Sequence, residues 1–431
     1  MRRFHIPAIL ALCLMLLVPA ARAQDFDTYF DDRTLRIDYS FAGNARSQSI
    51  YVSELLQSPG WAGRRHHLDE LPLDGNGDIT MRDKQTGTVI YRTSFSTLFQ
   101  EWQGQEEATR TDRAFENTFL LPFPKTPAEV TIELRDYHHR TTASLTHTVD
   151  PTDILIRHLP KSEAPVRELH RGGTSRECID VAIVAEGYTE SEMETFYRDA
   201  QAACRAILAH APFDRLAGRF NFIAVGAPSE DSGVSVPREG MWRRTAVGSN
   251  FDTFYSDRYL TTGHVRRLND LLAGLPYEHI IVLANTQTYG GGGIYNFYTL
   301  TAAHHAQFAP VVVHEFGHSF GGLADEYFYD DQYTPMYPSD TEPWEPNLTT
   351  LKDFSSKWAD MLPEGTPVPT PPVTDPARVY TQVGVYEGGG YSSKGVYRPA
   401  TECRMKINEA PAFCPVCQRA LERLIRFYTE E

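Results

Sequence analysis

From Asp25 to about Pro160, apolar and polar positions alternate in short runs such as TLRIDYSF, TVIYRTSF, NTFLLPF and EVTIELRDY, set apart by Gly, Asn, Asp and Pro. A period of two over such lengths predicts strands with one buried face. With almost no helical period among them, the region reads as an antiparallel β-sandwich. The segment Asp74-Gly75-Asn76-Gly77-Asp78 has the spaced oxygens of a calcium loop, but Ile79 and Gln85 stand where such a loop needs glycine and glutamate, so it reads as a tight hairpin turn.

The texture changes after a charged, glycine-containing stretch, KSEAPVRELHRGGTSR at 161–176. CIDVAIVA, from Cys178 to Ala185, is a continuous apolar run of the kind buried on both faces of a sheet. Thr189 and Glu192 form a capping box for a helix that runs towards His210, and Phe220–Val225 and HIIVL from His279 to Leu283 predict further strands. Beyond Tyr329 the chain is rich in Pro, Gly, Tyr and Trp until a closing helix over about Cys414 to Tyr428. The expected architecture is α+β and multidomain: a β-sandwich accessory domain over 24–160, a linker over 161–176 and an α/β domain over 177–431.

Composition adds a compartment. MRRFHIPAILALCLMLLVPAARAQ pairs two arginines with a short apolar run and an Ala-Arg-Ala site, which predicts a secretory signal peptide over residues 1–23 and a secreted or periplasmic protein. No stretch is long enough for a membrane span. Removing residues 1–23 takes away Arg2, Arg3 and Arg22 and no acid, moving the formal charge from -15 to -18, which argues against nucleic acid and anionic membranes as partners. Cys13 leaves with the signal, so five cysteines remain. A disulfide from Cys403 to Cys414 or Cys417 is the expected pairing, with all thiols reduced and buried as the alternative. Cys414-Pro415-Val416-Cys417 is also half of a redox or zinc-knuckle motif, but no second C-x-x-C completes it.

The candidate chemistry lies in VVVHEFGHSFGGLADEYFYDD, residues 311–331. Pro310 suits the first turn of a helix and Gly321-Gly322 its end, so His314, Glu315 and His318 share one helix. Histidines four apart project from one face and can share a cation. Glu315, one residue past the first, is placed beside a metal and not on it, where it can take a proton from a zinc-activated water. H-E-x-x-H is therefore a zinc-hydrolase motif; the competing reading is a core helix whose histidines bond to backbone.

A third ligand is needed. In the pattern H-E-x-x-H-x-x-G-x-x-H it stands six residues after the second histidine, but that position here is Ala324, so Asp325 is favoured, with Glu326 as the alternative. The glycines Gly291 and Gly292 precede an aromatic strand-like run, Ile294 to Leu300. As an edge strand they would let an extended peptide approach the backbone; a flexible loop is the plainer reading. Tyr391 and Tyr397 are candidate oxyanion donors, with packing as the alternative.

HEFGHSFGGLADEY, GVYEGGGYSSKGVYRP from Gly384 to Pro399 and ECRMKINEAPAFCPVCQRA together resemble the IgA-peptidase family of secreted bacterial zinc metallopeptidases, and the N-terminal region resembles that family's N-terminal domain. The resemblance implies a metzincin-like catalytic domain, a Zn2+ ion, a protein or peptide substrate, His314 and His318 as ligands, Glu315 as general base and Met405 as the methionine of a turn under the metal. The missing third histidine departs from the metzincin pattern. Two other functions fit the same residues: a binding or adhesion protein on a peptidase scaffold, and a zinc amidase acting on cell-wall peptide or glycan. Oligomeric state is not encoded in any of these features.

Overall fold

The computed structural model describes residues 25–330 and 336–430. The expected signal peptide at 1–23, with Cys13, lies outside the described residues.

In the N-terminal part, a turn of helix α1 (Phe26–Tyr29) leads into β1 (Phe30–Gly43) and β2 (Gln48–Pro59), followed by β3 (Gly77–Asp83) and β4 (Val89–Phe95). Helix α2 (Leu98–Gln103), capped by the Thr97 side chain on the Gln100 amide, then precedes β5 (Arg113–Pro124), β6 (Ala128–Arg135), β7 (Thr141–Val149) and the short β8 (Arg157–His158). These strands make two four-stranded sheets, ordered β5-β1-β2-β8 and β4-β3-β6-β7. The alternation that predicted them is visible in β6, where every second residue is buried. Leu35, Ile37, Tyr39 and Phe41 of one sheet share a single core with Ile79, Met81, Val130 and Ile132 of the other. β8 is the exception to antiparallel pairing: it lies parallel to β2.

A six-stranded sheet organises the rest, in the order β13-β14-β12-β10-β11-β9. Its strands are β9 (Val166–Arg171), β10 (Ile179–Glu186), β11 (Phe220–Val225), β12 (His279–Ala284), β13 (Gly291–Ile294) and β14 (Tyr298–Ala302). The four inner strands are parallel, and β9 and β13 run antiparallel at the two edges. All eight residues of β10 are buried, as a central parallel strand requires. Val181, Ile183 and Ala185 enter the core on one face with helices α3 (Met193–Leu208) and α5 (Phe308–Ser319); Ala182 and Val184 enter the core on the other face with α4 (Val265–Leu271). A hairpin, β15 (Tyr386–Gly389) with β16 (Ser392–Arg398), and a closing helix α6 (Pro415–Thr429) complete the chain.

Two expectations need correction. The stretch read as a linker contains β9, bonded to β11; its burial is low and its residues are mostly charged, so no apolar alternation announces an edge strand. The run Ile294 to Leu300 is not one strand: it holds the end of β13, a turn through Asn296, whose φ is +49°, and the start of β14.

The two parts are joined by packing. Leu98 of α2, 5% exposed, belongs to the core beneath the six-stranded sheet. Arg36 is buried in β1 and bonds both to Asp38 at 2.8 Å and to Asp270 of α4 at 2.6 Å. Asn296, in the turn after β13, donates to the Ser94 carbonyl at 2.8 Å, and the Ser96 amide donates to the Tyr295 carbonyl at 3.0 Å. The N-terminal part therefore braces the turn that aligns β13. Leu98→Ala is expected to cost about 2–4 kcal/mol of stability, read as a fall in the urea midpoint of the whole chain; a separate early transition of the N-terminal part alone would show instead that the two parts unfold independently.

Candidate functional site

Helix α5 carries the H-E-x-x-H residues on its inner half, between the sheet and the long irregular segment. Val311, Val312, Val313 and Phe316 are buried and fix the helix against its neighbours, which leaves His314, Glu315 and His318 on the half-buried face. The helix ends at Ser319, and three residues on Gly322, at a φ of +58°, takes the left-handed conformation that reverses the chain. A Cβ there would also collide with Leu73 and Trp344 and press on Tyr295.

The reversal brings residues 323–326 back over the helix. The Leu323 carbonyl accepts a hydrogen bond from His318 Nδ1 at 2.5 Å, and the Arg404 carbonyl accepts one from His314 Nδ1 at 2.9 Å. With both Nδ1 atoms donating, each imidazole in its neutral form presents Nε2 as an acceptor. The two Nε2 atoms stand 3.0 Å apart, and Asp325 Oδ1 lies 3.0 Å from that of His314 and 3.2 Å from that of His318. Three electron-rich atoms thus form a nearly equilateral triangle, and Asp325 Oδ1 is buried with no hydrogen-bond donor. A divalent cation with N/O bonds of about 2.0–2.2 Å fits this donor set.

Of the two adjacent carboxylates, Asp325 faces the histidines and Glu326 turns away, its Oε1 accepting from Asn347 at 3.0 Å and from Cys417 at 3.1 Å. The strap is held in this register from three sides. Asn347 grips the Ala324 peptide, accepting from its amide at 2.8 Å and donating to its carbonyl at 2.9 Å. The Glu326 amide donates to the Met405 carbonyl at 2.8 Å, and the Gly390 amide to the Asp325 carbonyl at 2.8 Å. Met405 itself is fully buried with its sulfur against Gly317, where a Cβ would come within 2.8 Å of it.

Tyr391, at a φ of +64°, donates its hydroxyl to Asp325 Oδ2, and Tyr327 is hydrogen-bonded to both. Tyr391 therefore belongs to the cluster, as a group that positions the carboxylate. Tyr397 does not: it lies on β16 with its backbone paired to Thr349. Burial alone would push the Asp325 carboxyl up, but the two imidazoles overcome it and hold it well below the usual carboxylate range. Burial likewise opposes the His318 imidazolium, yet Asp325 outweighs it and lifts His318 to about 9. Glu315 is raised above its ordinary value, chiefly by burial, with the imidazoles opposing.

Gly291 and Gly292 do lie on an edge strand, and each glycine of β13 has its own steric reason. A Cβ at Gly291 would sit 3.0 Å from the Glu315 carboxylate, one at Gly292 2.7 Å from the Tyr259 ring, and one at Gly293 2.2 Å from the Glu315 carbonyl. The strand is pressed against α5, and part of its outer edge is already taken by the bond from the Gly291 amide to the Arg258 carbonyl at 3.3 Å. Sequence reasoning placed no functional residue in the N-terminal part, but Glu101 of α2 reaches this region. It accepts from the Tyr259 hydroxyl, and its carboxyl feels the charges of His318 and Asp325. Neither Glu101 nor Asn347 lies in a local motif, so pattern alone could not find them.

The cysteines of the expected disulfide come together in the fold. Cys403, Cys414 and Cys417 converge, but all are thiols and the Cys403 and Cys417 sulfurs stand 3.8 Å apart, against about 2.05 Å for a bonded pair.

A half-buried pair of imidazoles closed by a carboxylate, with a further glutamate one residue along the same helix, is an arrangement that can hold a metal ion for hydrolysis. Comparison with known families gives the broader class, a peptidase. IgA Peptidase M64 matches residues 167–376 and 372–425, and Peptidase M64 N-terminus matches 25–146. The chain belongs to the IgA peptidase M64 family, and so to the peptidases. No curated protein matches it. Among the described residues no helix is long and apolar enough to cross a membrane.

Glu101 supplies a pH test of the contact between the two parts. Burial raises its carboxyl from 4.5 to about 7, against the Tyr259 hydrogen bond. The folded chain then binds this proton more tightly than the unfolded one. Stability is therefore expected to fall as pH rises from about 4.5 to about 7 and to level off above, by at most roughly 3 kcal/mol. Glu101→Gln should flatten that slope in urea midpoints measured at pH 5 and pH 8; an unchanged slope would assign it to other groups.

Proposed function

We propose that this chain is an exported zinc metallopeptidase of metzincin-like design, in which His314, His318 and Asp325 hold the zinc and Glu315 is the general base. The observation that carries the reading is the triangle of His314 Nε2, His318 Nε2 and Asp325 Oδ1, with edges of 3.0, 3.0 and 3.2 Å, beside a half-buried glutamate on the same helix. Zinc bound there would supply the positive charge that polarises a peptide carbonyl and acidifies a water.

The chain's own residues do the rest. Glu315, raised by burial, accepts the proton of the attacking water on its carboxylate and carries it towards the leaving amine. Gly291 lets β13 approach that carboxylate closely, which fixes where the base can point. Tyr391 and Tyr327 hold Asp325 in one rotamer, and the Leu323 and Arg404 carbonyls fix the imidazole tautomers. Met405 is the residue of the turn beneath the site. The segment 1–23 directs export, a protein or peptide is the substrate, and the N-terminal sheets act as the accessory domain, a β-sandwich that steadies the β13 edge.

The test is mass-spectrometric mapping of cuts in a diverse peptide library, with zinc content measured alongside. Glu315→Gln is expected to keep its zinc and lose about 10²–10⁴-fold in kcat. A variant as fast as wild type would remove Glu315 from the chemistry. Asp325→Ala is expected to weaken zinc binding by more than about 100-fold, beyond the effect of losing a residue that only orients a ligand; full retention of the metal would exclude Asp325 as a ligand.

A further inference from the structure

Behind the strap, on the side away from the histidines, Glu326, Cys403, Cys414 and Cys417 form a second cluster. All four are fully buried, and their ligand atoms lie within 4.8 Å of one another. We propose that these residues are a second metal site, structural in role, that takes a thiophilic divalent cation of the zinc type in a three-sulfur, one-oxygen shell.

The spacing suits such an ion. The Cys403 and Cys417 sulfurs are 3.8 Å apart, which is the edge of a tetrahedron with bonds of about 2.3 Å, as zinc–thiolate bonds are. Cys417 Sγ is 3.1 Å from Glu326 Oε1. The other carboxylate oxygen, Oε2, is buried without any hydrogen-bond partner, an uncompensated group that a cation would satisfy. Burial pushes the Cys403 and Cys417 thiols up, and the end of α6 works against it. Cys414 and Cys417 flank the first turn of α6, whose amide ends and dipole stabilise negative charge, and the Cys414 amide donates to Cys403 Sγ at 3.2 Å. Three thiolates and a carboxylate around a dication leave a net negative charge. Buried Arg398 lies close enough to act on Glu326 and has an unpartnered Nε. On binding, each coordinating thiol gives its proton to solvent, and no oxidation is involved.

The position gives the site its work. Glu326 follows Asp325, Cys403 lies two residues before Met405, and Cys414 opens α6, so one ion would cross-link the strap, the segment under the histidines and the closing helix. The inference rests on the thiol geometry and stands whether or not the peptidase reading does.

The test is the metal content of the full mature chain purified under reducing conditions, with zinc as the probe. Wild type is expected to hold about two zinc ions and His314→Ala/His318→Ala about one, whose X-ray absorption shows sulfur neighbours at about 2.3 Å. Cys414→Ser/Cys417→Ser should hold at most one. Because that variant may not fold, the histidine variant decides the matter. If it binds no metal, or binds metal through nitrogen and oxygen alone, the proposal is overturned, whether its cysteines are then found as thiols or as a disulfide.

Discussion

The site depends on a chain reversal. Helix α5 can present two histidines by its period alone, but nothing in a helix brings a third donor to the same point. Gly322, at a φ of +58°, turns the chain back so sharply that the Leu323 carbonyl meets His318 Nδ1 and Asp325 arrives over both imidazoles. One hydrogen bond thus sets the tautomer of a histidine and the path of the strap that completes the cluster. Any residue with a Cβ at this position would both strain the backbone and strike Leu73 and Trp344, so the geometry is defended sterically as well as conformationally.

The rest of the fold holds that reversal in place. The parallel strands bury α3 and α5 on one face and α4 on the other, so the helix bearing the histidines cannot shift without disturbing the core it shares with α3. The N-terminal sheets add a brace, since Ser94 and Ser96 bind the turn after β13, and β13 in turn touches the Glu315 carboxylate through Gly291. A region with no chemistry-bearing motif of its own thereby acts on the position of the proposed base.

What could be read in advance was what is local in sequence. The buried strand from Cys178 to Ala185, the helix after Thr189 and the pairing of His314 with His318 follow from periods and caps within a few residues. β9 could not be read because an exposed edge strand of charged residues has no apolar alternation. The glycines of β13 were recognisable as special, but their cause is contact with α5 and Tyr259, which no local pattern contains. Sequence favoured Asp325 over Glu326 only by its shorter offset from the second histidine, because the contacts that orient the two, from Asn347, Met405 and Gly390, are distant along the chain. The half-motif Cys414-x-x-Cys417 looked incomplete for the same reason: its neighbours Cys403 and Glu326 are brought by the fold.

The grip of Asn347 on both sides of the Ala324 peptide has a consequence for how this region can change. Asp325 and Glu326 point to opposite sides of one extended strap, the first to the imidazoles and the second to the sulfurs. In such a strap, adding or deleting a single residue exchanges the two faces. The histidines would then receive the longer carboxylate and the thiols the shorter one, and both clusters would be misfitted together. The strap therefore behaves like a reading frame: substitutions can be absorbed one at a time, whereas insertions of odd length cannot.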